Sequence, residues 1–179
     1  RKAMYDPLTE QKAVSGTVSL IGSDFTLDES SDIRRILRTT GYTLKELPGC
    51  RTWEEYQQLG TGELLISCYP PAKYGADILA ERLKRQHLYL PGSFDYGEIK
   101  EEIQSLIHAL RIEKNVSSDD LEAFFEREIT LCEDTFRHTK TVIGDTPIVL
   151  DYLFHPRPLG LAKILLEHEF QVTAVYLDS

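Results

Sequence analysis

The sequence is short of basic charge, of cysteine and of long apolar runs. Lys and Arg number 20 against 29 Asp and Glu, a formal net charge of -9, and clustered cations that would displace counterions from a nucleic-acid backbone are missing. No apolar stretch approaches the ~18 to 20 residues of a membrane-crossing helix, and no secretory leader opens the chain. Only 3 cysteines occur in 179 residues. An odd number without short regular spacing argues against a secreted disulfide framework and against a self-contained zinc site, so a reducing cytoplasm is the natural setting. The 5 histidines are scattered and form no His-x-x-x-His pair. The loop Gly22-Ser23-Asp24-Phe25 lacks the Gly-x-Gly-x-x-Gly fingerprint of a dinucleotide site, and Gly144-Asp145-Thr146 is too short for a phosphate loop. Repeats and low-complexity segments are also missing.

What remains, 41% hydrophobic and 27% charged residues, is the composition of a globular protein with a buried core. Residues 1–15 are polar and without period, and read as a lead-in arm outside the core. The start on Arg1 instead of methionine suggests a piece of a longer chain. From residue 16 to 112 the pattern is strand then helix, four times over. The strands are 16–22, 43–47, about 62–68 and 87–90. Ile33, Ile36 and Leu37 face inward on the first helix, Gly41 caps its end, and Thr52-Trp53-Glu54-Glu55 is a capping box. Such alternation implies right-handed crossovers and a parallel α/β sheet with flanking helices, Rossmann-like or flavodoxin-like. After a break at residues 115–118, a connector helix over 117–141 carries Leu121, Phe124, Phe125, Ile129, Cys132 and Phe136 on one face. Residues 142–179 then supply strand, helix and strand, the start of a second α/β unit.

The chain is organised around Leu64-Leu65-Ile66-Ser67-Cys68-Tyr69-Pro70-Pro71 and the small-residue helix after it. Two consecutive prolines remove two N–H donors and end the strand, which puts Cys68 and Tyr69 at its carboxyl end. That is where ligands bind in an open α/β sheet. A strand-end thiolate suits an iron-sulfur cluster; equally, a lone cysteine is a small buried residue. Cys132 on the apolar face reads as core, Cys50 as a loop residue, and His87 and His108 as structural histidines. Arg157, in His155-Pro156-Arg157-Pro158, lies in another strand-end loop and could equally be a surface arginine.

These stretches resemble the component 1 family of nitrogenase-like oxidoreductases, over about residues 17–178. The resemblance rests on Ile21-Gly22-Ser23-Asp24, Gly41-Tyr42, Thr52 to Glu55, the strand ending in Cys68-Tyr69, Ala76 through Ala80-Glu81-Arg82, Leu90-Pro91 and the long connector into Pro147. It implies that Cys68 stands where such chains place the thiolate on the terminal iron of a metallocluster, with Tyr69 beside it, and that Arg157 stands where they place a cofactor-bonding arginine. Pro70-Pro71 departs from the catalytic chains and marks a divergent member. The family further implies an iron-sulfur or related metallocluster, or a tetrapyrrole, in the full-length protein. Its expected partners are a sister component 1 subunit and an ATP-dependent iron-sulfur reductase. The piece alone should be inactive. A non-catalytic scaffold or flavodoxin-like ligand-binding domain is the alternative. The unpaired βαβ at the end predicts apolar faces that fold back on the first sheet or pair with a second copy.

Overall fold

The computed structural model describes residues 5–8, 11–112, 117–155 and 157–177. Residues 1–4, 9 and 10 of the arm, residues 113–116, which take in the first half of the expected break, Pro156 and the last two residues lie outside them. The chain divides into two units, residues 1–92 with 103–112, and residues 93–102 with 113–179.

In the first unit four strands, β1 (Val14–Leu20), β2 (Thr43–Glu46), β3 (Gly62–Ser67) and β4 (Gln86–Tyr89), form one sheet in the order β2-β1-β3-β4. Every pair is parallel, with Val18 opposite Leu64, Leu20 opposite Ile66 and Leu65 opposite His87. This is the flavodoxin-like order of a doubly wound sheet, whose direction reverses between β1 and β3. The strand read as 16–22 starts two residues earlier. Gly16, at φ +73, sits where the register with β3 shifts, so it bulges the strand and does not bound it.

The helices are α1 (Asp32–Thr39), α2 (Trp53–Gln57), α3 (Lys73–Leu83) and α4 (Tyr96–Ala109). Ser31 caps α1 by accepting from the Arg34 N–H, and the expected box closes α2, with Thr52 and Glu55 each bonding the other's backbone N–H. At the end of α1 the N–H groups of Gly41 and Tyr42 donate back to Arg38 and Leu37. Gly75, Ala76, Leu79, Ala80 and Leu83 are the buried face of α3, as their spacing requires.

The arm departs from its reading as a segment outside the core. Tyr5 and Leu8 are 2% and 0% exposed and pack with Ile21, Leu65, Ala76 and Leu79. Arg82 reaches the carbonyls of Tyr5 and Asp6, and Arg85 donates to Gln11 at 2.7 Å. Two apolar side chains with Asp6 and Pro7 between them make no repeating pattern, so pattern alone cannot recruit them.

The second unit holds α5 (Ser118–Ile143), β5 (Ile148–Asp151), α6 (Pro158–Glu167) and β6 (Val172–Tyr176), with β5 and β6 paired in parallel. Residues 93–102, read from the sequence as part of the first unit, group with it because their side chains bond there. Phe94 packs edge-on to His155, and Tyr96 donates to Glu133 at 2.8 Å. Cys132, expected in the core, is exposed. Of the six residues on the expected face of α5, Phe125 is buried, Leu121, Phe124, Ile129 and Phe136 are half-buried and Cys132 is exposed. Val149, Leu153, Phe154, Leu166 and Tyr176 are likewise exposed. Among the described residues no helix is long and apolar enough to cross a membrane.

Candidate functional site

The carboxyl ends of β1 and β3 meet at the reversal point of the sheet. The last ladder bond beyond β1 runs from the Ile21 N–H to the Ile66 carbonyl, 2.8 Å. The next N–H, on Gly22, is the group such a sheet offers to a ligand, and here it donates to the Tyr5 hydroxyl at 2.6 Å. Gly22 has φ +78, and a β-carbon on it would lie 2.1 Å from that of Ala72. The arm and the start of α3 therefore close this corner of the crevice.

Cys68 follows β3 directly. Tyr69 stays extended, and Pro70–Ala72 form a 3-10 turn whose Ala72 N–H donates to the Tyr69 carbonyl before α3 begins. Cys68 and Tyr69 are both half-buried, and Cys68 lies outside the apolar cluster that contains Leu65 and Leu79. Cys50 is different. Its thiol donates to the Glu46 carbonyl at 3.4 Å, it packs on that cluster, and burial pushes it above the ordinary thiol range.

One residue before Cys68, Ser67 begins a polar chain that the sequence did not announce. Its hydroxyl is 2.8 Å from His87 Nε2, and His87 Nδ1 is 2.6 Å from Asp77 on α3. Asp77 also accepts from Lys73 at 2.8 Å; that bond first, and His87 second, hold its carboxyl below the usual carboxylate range. The order Ser, His, Asp matches a nucleophilic triad. Ser67, however, is fully buried and the His87 side chain only 5% exposed, so no substrate carbonyl reaches the hydroxyl. The chain ties three elements together beneath Cys68. A serine inside an apolar strand run was its only sequence signal.

Cys68 and Tyr69 belong to the first unit and Arg157 to the second, where it is the N-cap residue of α6. The backbone N–H of Arg157 donates to His155 Nδ1 at 3.0 Å, and burial pushes His155 below the ordinary histidine range. The Arg157 guanidinium lies 3.8 Å from Glu98. With Ser93, Phe94, Lys163 and Glu167 these two line a cleft of about 150 Å³. Its two cations face three carboxylates, Asp95, Glu98 and Glu167, so it has no bias toward anions.

Among the described residues no three of His, Cys, Asp or Glu converge as a metal site. Were a metallocluster held at the end of β3, Cys68 could give it one terminal thiolate, and further ligands would have to come from outside the described residues.

A four-stranded parallel sheet with this order and helices around it defines a doubly wound α/β protein. Comparison narrows the class. No family model matches the chain, and no curated protein matches it. Solved structures do: nitrogenase Cp1 at pH 6.5 and nitrogenase Cp1 at pH 5 each match with a TM-score of 0.63 and 14% identity over 98% of this chain. The chain spans 34% and 36% of the length of those two. The fold is nitrogenase-like.

Proposed function

We propose that this chain is a cofactor-holding part of a nitrogenase component 1-like oxidoreductase subunit, in which Cys68 offers a thiolate to an iron-sulfur or related metallocluster. The observation that carries the reading is the place of Cys68. It is a half-buried thiol one residue past the central strand β3, in a chain that matches nitrogenase Cp1 over 98% of its length. A cluster bound there would supply multi-electron redox chemistry, and a tetrapyrrole is the other group the family would bring. The chain's own part is to anchor and orient. Cys68 gives one bond, the Ser67–His87–Asp77 chain holds the strand end from which it projects, and Tyr69 and Arg157 are the further cofactor-binding candidates. The expected partners are a sister component 1 subunit and an ATP-dependent iron-sulfur reductase, in the cytoplasm, with neither nucleic acid nor membrane involved. The exposed apolar residues of the second unit support burial against more protein, a second copy included.

The test uses the full-length protein purified without oxygen. Iron and sulfide analysis with EPR should show a cluster in the wild type and its loss in Cys68→Ala, with Cys132→Ser unaffected. A colourless wild type, or equal iron in Cys68→Ala, would overturn the reading. A second reading, a non-catalytic scaffold or flavodoxin-like binding domain, is favoured by one observation: the Tyr5 hydroxyl already holds the Gly22 N–H.

A further inference from the structure

We propose that His168 is a proton-operated latch that fastens α6 to α5 and, through Glu133, to the first turn of α4. His168 is the C-cap residue of α6. Its Nδ1 is 2.8 Å from the Ile164 carbonyl, and its Nε2 is 3.1 and 3.2 Å from the two carboxylate oxygens of Glu133 on α5. A carbonyl and an ionised carboxylate only accept, so both contacts are hydrogen bonds only when both ring nitrogens carry hydrogen. The Phe136 ring stacks on the imidazole at 4.1 Å between centroids, a contact that favours the charged ring. Tyr96 donates to Glu133 at 2.8 Å, and this bond first, with His168 second, keeps that carboxyl below its usual range.

The surrounding charges favour the same state. Glu133 and Glu167 are the acidic groups that raise His168, and Arg137 acts on Glu133. Cys132 acts on Tyr96, whose hydroxyl burial holds above its ordinary value and hence in the donor form. Lys140 donates to Asp145 and to the Glu169 carbonyl and lies over the Phe170 ring. The neutral ring would leave one nitrogen facing an oxygen with no hydrogen between them, and the latch opens.

The bond to Ile164 is the largest cause that raises His168 above the ordinary histidine value. A raised group contributes stability that is fully present below about 6.5, the unfolded value, and is lost as pH rises through the folded value. His155 in the same unit is lowered by burial and trends the other way, so variants must isolate the effect.

The test is an NMR titration of His168 in the 179-residue chain, with amide protection factors along α6 between about pH 6 and pH 8. His168 should titrate above about 6.5, and wild-type α6 protection should fall several-fold across that window. In His168→Gln the change should be lost, and in Glu133→Gln, where the Ile164 bond still raises His168, it should be reduced. Wild-type titration at or below the ordinary histidine value would overturn the latch even if the variants fail to fold. Equal pH dependence of α6 protection in wild type and Glu133→Gln would overturn it too.

Discussion

Gly22 and Ala72 meet so closely that a β-carbon on Gly22 would lie 2.1 Å from the Ala72 Cβ and 3.2 Å from its Cα. The contact seats the start of α3 on the end of β1 and so sets the turn on which Cys68 and Tyr69 are carried. Gly22→Ala adds a methyl group to this contact and strains a left-handed backbone at φ +78. The expected cost is about 2 to 4 kcal/mol. Urea unfolding should show a lower midpoint with an unchanged slope, and an unchanged midpoint would contradict the packing.

Tyr5→Phe keeps the ring in the core and removes the oxygen that receives the Gly22 N–H. Loss of that partner should cost about 1 to 3 kcal/mol. Tyr5→Ala also empties a core site and should cost about 3 to 5 kcal/mol. Thermal unfolding of the two variants checks the order. If the arm lay outside the core, neither would differ from wild type.

Glu46, whose side chain is 8% exposed, accepts from the Leu27 N–H at 2.7 Å and from the Arg34 guanidinium, which also donates to the Leu27 carbonyl. These bonds fold the loop after β1 against β2. Glu46→Ala leaves Arg34 with the exposed Glu29 carboxylate at 3.4 Å and strands the Leu27 N–H, and should destabilise by about 1 to 3 kcal/mol. Arg34→Ala should do less to β2 and more to the loop. Hydrogen exchange at Leu27 separates the two.

The Ser67–His87–Asp77 chain is expected to be structural. A serine-directed fluorophosphonate should leave Ser67 unlabelled in the folded protein, because that side chain has no exposed surface. His87→Ala should cost about 1 to 3 kcal/mol by stranding the buried hydroxyl. Asp77 is held below its ordinary value, so its contribution is present above that value and lost as pH falls through the lower folded one. Acid unfolding of Asp77→Asn against wild type should therefore converge at low pH. Labelling of Ser67 would contradict the closed geometry.

Thiol labelling should rank the cysteines by exposure. Cys132 is exposed, Cys68 half-buried, and Cys50 half-buried with its thiol pushed up by burial. N-ethylmaleimide followed by mass spectrometry should modify Cys132 first and Cys50 last.

The α/β alternation, the capping box at Thr52 and Glu55, the small-residue face of α3 and the strand-end position of Cys68 are local patterns, and the sequence by itself determined them. Each is set by residues within a turn or two of one another, and side-chain period or a lost N–H is enough to write it. Tertiary structure alone decided the rest. Tyr5 and Leu8 enter the core because a sheet face and α3 leave a space that their side chains fill. Cys132 shares the helical spacing of Phe125 and yet is exposed, because burial depends on what packs opposite and not on periodicity. His87 and Asp77 lie ten positions apart, and His168 meets Glu133 across 35. Those pairings arise only when separate elements are brought together, and a single sequence carries no local signal for them.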